Sequence, residues 1–335
     1  MRLCFLVEER YRNDGMPLEV IRQLTAWGHR VDILRPGGSL LPLTGTMAES
    51  VTGAVAGSPA GASAGRTPAR PAGPLAAALR AGEYDAWILK TVSGGPGLTL
   101  LEAAAEAGAT TVNDARAIRR VRDKALAASI AAQHGLPVPP TYAAAAPGLL
   151  AEIPESAYPM VVKPADGSAG RAVRLVTSPG ELARLRPLLA GEGMLIAQSY
   201  VANSGTDLKV YSVGGRLYAT ERRSPLHPEH PVPERRVPLP AEIAALVERI
   251  GAVYGLDLYG VDVLLGPDGP VVVDVNDFPS FRQVPDAAAR VARAVLGLAR
   301  GGSAKVAPVR TLPLPPSPLI PSPTAQVAVV AGESA

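Results

Sequence analysis

The 335-residue chain has little cysteine, histidine or aromatic side chain. A single cysteine, Cys4, excludes an internal disulfide, and the four histidines lack the additional, regularly spaced ligands that a zinc site needs. No apolar run approaches the roughly 20 residues of a membrane-spanning helix, and the run around Cys4 is too short for a signal peptide. We therefore expect a cytoplasmic protein with no membrane partner.

The charge of the chain is nearly balanced, with a formal net charge of +3. Its basic residues gather in short groups, such as Arg222 and Arg223, and form no long stripe. Nucleic-acid-binding domains usually carry such a stripe, so we expect no nucleic-acid partner. Short basic groups instead favour a small anionic partner. Apolar residues make up 47% of the chain and aromatic residues 4%, so we expect a globular core of Ala, Val and Leu.

The first third of the sequence alternates strand and helix patterns, which predicts a small Rossmann-like α/β domain over residues 1–112. The predicted elements are a strand at 1–7, a helix at 17–27, strands at 31–34 and 84–89, a helix at 98–107 and a strand at 110–112. Residues 48–74 are rich in Ala, Gly, Ser and Pro and are predicted to be a flexible insertion.

The remainder predicts further helices and strands, which we divide into units over residues 113–192 and 193–300, followed by a disordered tail at 301–335. Residues 115–133 have the pattern of one long helix, ended by a proline-rich turn. Two hairpins are predicted around Gly214-Gly215 and around 267–269. The other predicted elements are a strand–loop–strand unit at 160–176, helices at 179–189, 241–253 and 286–298, and a strand at 194–200.

Three polar side chains interrupt the apolar second hairpin. Asp274 and Asn276 are two residues apart on one strand and therefore share a face, to which the partner strand can add Asp262. A carboxylate within so apolar a strand needs a partner. Two carboxylates and an amide oxygen are ligands that magnesium prefers, together with phosphate oxygens. The alternative is a pair of solvated acids beside a turn.

A lysine and a glycine loop form a second candidate site. Lys163 ends the apolar run 160–162, and the loop 167–170 follows it, where free backbone N–H groups can hold phosphates. Alone, this loop is as often a simple turn. Lys124, alone, is typical of a solvated surface lysine, and the segment 196–201 alone indicates no function.

Taken together, the order and spacing of these segments resemble the ATP-grasp superfamily, over residues 113–298. The resemblance implies ATP as cosubstrate and Mg²⁺ as cofactor, with the nucleotide clasped between the two α+β units. It implies that Lys124 and Lys163 contact phosphates and that Asp262, Asp274 and Asn276 bind magnesium. The other residues expected at the nucleotide are Ser168, Ala169, Gly170, Gln198, Ser199, Tyr200, Val201 and Asp207.

Two branches of the superfamily fit the sequence. The hairpin 205–214, the segment 221–225 and the Asp274-Val275-Asn276 order are similar to inositol-phosphate kinases, so phosphoryl transfer to a small anionic acceptor is the favoured hypothesis. Lys209, Arg222 and Arg223 would then act at the transferred phosphate. The alternative is a carboxylate–amine ligase acting through an acyl phosphate, similar to the ribosomal-protein-modifying glutamate ligases and glutathione synthetases. A non-catalytic ATP-binding module is a lesser alternative, and a homodimer is common among related enzymes.

Overall fold

A computed structural model describes residues 1–11, 13, 15–38, 82–91, 95–166, 173–224, 226–227 and 232–303. The predicted insertion at 48–74 and the predicted tail beyond residue 303 lie outside the described residues. Three sheets organise the described chain, one parallel and two antiparallel. No described helix is both long and apolar enough to span a membrane.

The first sheet is parallel, with the strand order β2-β1-β3-β4. Its elements are β1 (Arg2–Val7), helix α1 (Met16–Ala26), β2 (Arg30–Leu34), β3 (Ala86–Lys90), helix α2 (Gly97–Glu106) and β4 (Thr111–Val112). Alternate residues of β1 enter two different cores. Leu3 and Phe5 pack with α1, whereas Cys4 and Leu6 pack with α2. Burial on both faces explains why β1 is a continuous apolar run.

The predicted helix over 115–133 is wrong in one respect, because the structure divides it into α3 (Ala115–Arg122) and α4 (Lys124–Gln133). Asp123 between them is extended, with φ −85° and ψ 101°, and its carboxylate accepts hydrogen bonds from the backbone N–H groups of Ala125 and Leu126. An aspartate that caps a new helix in this way competes with continuation of the old one.

The second sheet is antiparallel, with the order β5-β8-β6-β7. Its elements are β5 (Thr141–Ala144), β6 (Met160–Pro164), β7 (Arg174–Val176), helix α5 (Pro179–Leu185) and β8 (Leu195–Ser199). The predicted domain boundary before residue 193 would separate β8 from β5 and β6, although the three strands belong to one sheet. We propose that the division between the two α+β units falls after Ser199.

The third sheet is antiparallel, with the order β11-β10-β9-β12-β13. Its elements are β9 (Thr206–Val213), β10 (Arg216–Arg223), β11 (Arg235–Val237), helix α6 (Ala241–Tyr254), β12 (Tyr259–Gly266) and β13 (Gly269–Asp277). Both predicted hairpins are confirmed, at Gly214-Gly215 and at the β12–β13 turn. Strands β5 and β11 were not predicted, since both are short and largely exposed.

Helix α7 (Ala287–Gly301) closes the described fold, and it packs on the first sheet although it follows the third. Its buried side chains Val291 and Val295 share a core with α1 and β1. Asn113 adds a polar link between the same two regions. Its fully buried side chain donates to the carbonyl of Leu258 at 2.8 Å and accepts from the N–H groups of Asp257 and Leu258. The hydrogen bonds of Asn113 therefore fix the position of the first sheet relative to the start of β12.

Helix α6 offers a direct test of packing in the third sheet, because its Gly251 lies against Tyr259 of β12. A methyl group at Gly251 would overlap the hydroxyl and ring of Tyr259, which is buried and donates to the carbonyl of Val247. We predict that Gly251→Ala lowers the free energy of unfolding by about 1–3 kcal/mol, the usual cost of overpacking.

Gly297 is the matched control, since it lies at an exposed position of helix α7 with nothing near its added methyl group. Gly297→Ala should raise the free energy of unfolding by up to about 1 kcal/mol through helix propensity alone. Urea unfolding followed by circular dichroism measures both variants. Equal stabilisation by the two substitutions would contradict the close contact between α6 and β12.

Candidate nucleotide and metal site

A cavity of about 420 Å³ lies between the second and third sheets, and most of the predicted site residues line it. Strands β6 and β8 supply one wall, and β9, β10, β12 and β13 supply the other. The predicted residues that line the cavity are Lys124, Lys163, Gln198, Ser199, Tyr200, Val201, Asp207, Lys209, Arg222, Asp262, Asp274 and Asn276. Segments spread over 150 positions of sequence therefore meet at one site.

Four of the predicted residues are not placed in the cavity. Ser168, Ala169 and Gly170 lie outside the described residues, so their predicted role at the phosphates stays a prediction. Arg223 follows Arg222 on β10 and is exposed, whereas Arg222 lines the cavity. Consecutive side chains of a strand point to opposite faces, so Arg223 points away from the cavity. The structure therefore does not place Arg223 where it could act on the transferred phosphate, as was predicted.

The predicted metal residues converge as the strand pattern requires. Asp262 and Asp274 are direct register partners on β12 and β13, and the amide nitrogen of Asn276 donates to Oδ2 of Asp274 at 3.3 Å. Each carboxylate also contacts a lysine. Lys124 forms an ion pair with Asp274, and the Lys209 ammonium lies 2.5 Å from Oδ1 of Asp262. Each acid is thus paired with a lysine, so the alternative of two solvated acids beside a turn is wrong.

Lys124 reaches the site because of the break between α3 and α4. As the first residue of α4, it donates its backbone N–H to the carbonyl of Ala165 at 2.8 Å, directly after β6. Its side chain is only 15% exposed, so the interpretation of Lys124 as a solvated lysine is wrong. Burial raises the pKa of Asp274, but the ammonium groups of Lys124, Lys163 and Lys209 outweigh burial and lower that pKa to about 2.

Lys163 lies on β6 and approaches β13 from the opposite wall. Its ammonium donates to the carbonyl of Val273 at 3.3 Å. Burial lowers the pKa of Lys163 to about 8, although the nearby Asp274 carboxylate opposes that shift. The desolvated ammonium is therefore held in its charged form only weakly and would gain from a neighbouring anion.

A second charge network lies deeper along β9, β10 and β12. The Arg222 guanidinium contacts both oxygens of Asp207, at 2.6 and 3.2 Å, and Oδ2 of Asp262 at 3.0 Å. Burial raises the pKa of Asp207 to about 6, although the hydrogen bond from Arg222 opposes this. The two neighbouring carboxylates raise the pKa of Arg222 against the effect of its own burial. Asp207, predicted at the nucleotide, is here the partner of Arg222.

The strand exit at 198–201 forms the less charged end of the cavity. The backbone N–H groups of Ser199 and Tyr200 donate to the carbonyls of Pro140 and Pro159, so they are already engaged. Gln198 donates to Thr141, and the hydroxyl of Tyr200 lies 2.9 Å from Nε2 of His227. The backbone N–H of Val201 has no hydrogen bond within the described part of the chain, so it could donate to a ligand.

Several functional neighbours were missed by sequence reasoning. Arg122 and Asp277 form a buried bidentate ion pair at 2.8–2.9 Å beside the cavity, and Arg122 also donates to Thr91. Strand alternation could have found Asp277, since it must face away from Asp274 and Asn276. Ser224 and Leu226 line the cavity from the chain after β10, and neither was named as a site residue, although Ser224 lies in the segment 221–225 that resembles the kinases.

The sequence profile of the RimK-like ATP-grasp domain matches residues 121–295, more than half of the chain. A probable alpha-L-glutamate ligase of Thioalkalivibrio sulfidiphilus is 30% identical over 192 residues, covering 54% of this chain and 63% of that protein. A protein of the same name from Maridesulfovibrio salexigens is 29% identical over 189 residues, covering 53% and 62%. The chain thus matches less than two-thirds of the length of these curated relatives.

Solved structures agree with the predicted fold. The RimK domain ATP-grasp protein of Sphaerobacter thermophilus superimposes with a TM-score of 0.63 at 23% identity, covering 89% of this chain and all of that one. D-alanine–D-alanine ligase of Bacillus anthracis, in complex with ATP, gives a TM-score of 0.60 at 14% identity, covering 90% and 98%. At these identities the likeness concerns the fold alone, and it confirms the predicted ATP-grasp architecture. Because the profile match spans most of the three-sheet core and the fold agrees with it, we conclude that the chain belongs to the RimK-like ATP-grasp family.

Proposed function

We propose that this protein is an ATP- and magnesium-dependent carboxylate–amine ligase. The observation that carries the proposal is the meeting of Lys124, Lys163, Asp262 and Asp274 in one cavity between two sheets. The names of the curated relatives, which are ligases, support the ligase alternative over the favoured kinase hypothesis. We therefore replace the kinase hypothesis with the ligase hypothesis.

The cavity lining combines apolar and cationic side chains, which fits a nucleoside triphosphate. Its apolar residues include Val161, Val173 and Leu264, which would hold the flat adenine ring. The ammonium groups of Lys124 and Lys163 line the same cavity and would contact phosphate oxygens. Arg222 and Lys209 add further positive charge to the lining.

The residues present also fit a magnesium ion. Asp262, Asp274 and Asn276 supply hard oxygen ligands from adjacent strands, the donor set that Mg²⁺ takes together with phosphates. Oδ1 of Asp262 is buried and accepts no hydrogen bond within the described part of the chain, although Lys209 lies at ion-pair distance. The described residues hold no group of three His, Cys, Asp or Glu side chains suited to a metal. Two carboxylates and an amide therefore suit an ion that is completed by nucleotide oxygens.

Mg·ATP supplies the phosphoryl group that activates a carboxylate as an acyl phosphate for attack by an amine. The chain's own side chains bind and orient. Lys124 forms an ion pair with Asp274 and helps to lower the pKa of that carboxyl group, and Lys209 forms an ion pair with Asp262. Arg222 is held at the cavity wall by its contacts with Asp207 and Asp262.

The kinase hypothesis depended on several cationic side chains being available to an anionic acceptor, and the ion pairs of the cavity argue against this. A highly phosphorylated acceptor needs several unpaired cations. Arg222 and Lys209 are neutralised by Asp207 and Asp262. Arg282 supplies no further cation to the cavity, because its side chain is 71% exposed and lies 3.8 Å from Glu234. An acceptor with a single carboxylate would need fewer unpaired cations in the cavity.

The product separates the two chemistries. Incubation with ATP, Mg²⁺, L-glutamate and a glutamate-terminated peptide should release ADP and phosphate only when carboxylate and amine are both present. A mass increase of the peptide by one glutamyl residue is the expected product. Phosphate transfer from labelled ATP to inositol phosphates, without an amine requirement, would restore the kinase hypothesis.

The metal assignment predicts a large effect of Asp274→Asn. Losing this carboxylate should reduce magnesium-dependent ATP turnover by about 100-fold or more, as for other groups that stabilise transferring phosphate. Asp268→Asn is the matched control, because Asp268 lies exposed on the turn between β12 and β13. Unchanged turnover in Asp274→Asn, measured by coupled ADP detection, would remove Asp274 from the site.

The lowered pKa of Lys163, about 8, predicts proton uptake when a nucleotide binds near pH 8. The free protein is then partly deprotonated at Lys163, and bound phosphates favour the charged form, so affinity should fall as pH rises above 8. Titration calorimetry of Mg·AMPPNP in buffers of different ionisation enthalpy measures this uptake. Lys163→Met should abolish the part of the proton uptake that Lys163 contributes. Undiminished proton uptake in that variant would contradict a contact between Lys163 and the nucleotide phosphates.

A further inference from the structure

Lys90 is a charged side chain at the junction of the first and third sheets that the proposed nucleotide site does not use. It ends β3, and its ammonium donates a hydrogen bond to the carbonyl of Phe278, just after β13. The ring centroids of Tyr11 and Phe278 each lie 5.8 Å from the ammonium. None of the ion pairs within the described residues includes Lys90.

The surroundings of Lys90 carry more positive than negative charge. Burial, together with Arg10, Arg122 and Lys209, lowers its pKa to about 8, although Asp277 opposes this shift. Asp277 is already engaged by Arg122 through both carboxylate oxygens. Burying an ammonium among cations is unfavourable, and an anion at this point would relieve it.

The place of Lys90 is one where open parallel sheets bind ligands. Its register partner is Val7, and both residues lie at the carboxyl edge of the first sheet. The hydrogen-bonded carbonyl of Phe278 is two residues from Asn276, which lines the nucleotide cavity. Lys90 is therefore joined to the end of β13, the strand that supplies Asn276 to the cavity.

The backbone that meets Lys90 is held in an unusual conformation. Phe278 has φ 39°, a left-handed value that costs a bulky residue about 1 kcal/mol or more. Its ring is buried, and its N–H donates to the carbonyl of Leu258 at 3.1 Å, so the surrounding structure maintains the strain. Backbone strain of this kind concentrates at ligand-binding positions.

We propose that Lys90 binds the carboxylate of the acceptor substrate, the group that the ligase activates. A lysine ammonium has three donors, and the Phe278 carbonyl takes one, which leaves two for carboxylate oxygens. The proposal rests on the proposed ligase function and adds the group that holds its second substrate beside the nucleotide.

Two variants separate the charge of Lys90 from its hydrogen bond. Lys90→Gln keeps a donor for the Phe278 carbonyl without the charge, and Lys90→Met removes both. Arg293→Met is the control, since it removes an exposed cation 5.6 Å from the Trp27 ring on the distant helix α7. ADP release is measured against the concentration of the peptide Glu-Glu, with L-glutamate as amine. Calorimetry gives the Kd of Mg·AMPPNP for each variant.

Both Lys90 variants should raise the half-saturating peptide concentration by about 10-fold or more, as expected for losing a charge-assisted hydrogen bond. Their Kd for Mg·AMPPNP should stay within about 2-fold of the wild type, and Arg293→Met should match the wild type in both measurements. A wild-type response of Lys90→Gln, or an equal loss of nucleotide affinity, would overturn the assignment of Lys90 alone. Absence of peptide-stimulated ADP release in the wild type would overturn the ligase proposal and this inference with it.

Discussion

The pairing of two carboxylates on neighbouring strands, Asp262 and Asp274, is the constraint on which the rest of the site depends. Like charges at direct register positions of a hairpin repel each other, and burial makes them costlier still. The fold compensates by bringing a lysine to each acid from a different element, Lys209 from β9 and Lys124 from the start of α4. The positions of β9, α4 and β13 are therefore coupled by charge as well as by packing.

This coupling explains features that lie outside the cavity. The helix break at Asp123 costs continuity of α3 and α4, yet it places Lys124 against Asp274. One residue earlier, Arg122 reaches the other face of β13 and binds Asp277. Opposite faces of one strand thus bind the two side chains that flank Asp123, and the first sheet joins through Thr91 and Lys90. The cavity and the junction of the three sheets form a single arrangement.

Much of this arrangement was predictable from local sequence patterns. Strand periodicity placed Asp274 and Asn276 on one face, and the glycine turn identified the β9–β10 hairpin. The same alternation, applied strictly, would have separated Arg223 from Arg222. The helix break was not predictable from periodicity, because the apolar pattern of residues 115–133 continues through it, whereas the Asp123 cap and the tertiary contact of the Lys124 N–H decide where the helices divide. The pairing of Asp207 with Arg222 depends on a cross-strand register that the sequence alone leaves open.

The central claim is that the acids of β12 and β13 form a metal site that a nucleotide completes. Manganese can replace magnesium in such oxygen-ligand sites and is detected directly by electron paramagnetic resonance. We predict weak Mn²⁺ binding to the protein alone, where lysines neutralise both acids, and tight binding of one Mn²⁺ once AMPPNP is present. Mn²⁺ affinity that does not change on adding AMPPNP would contradict the account.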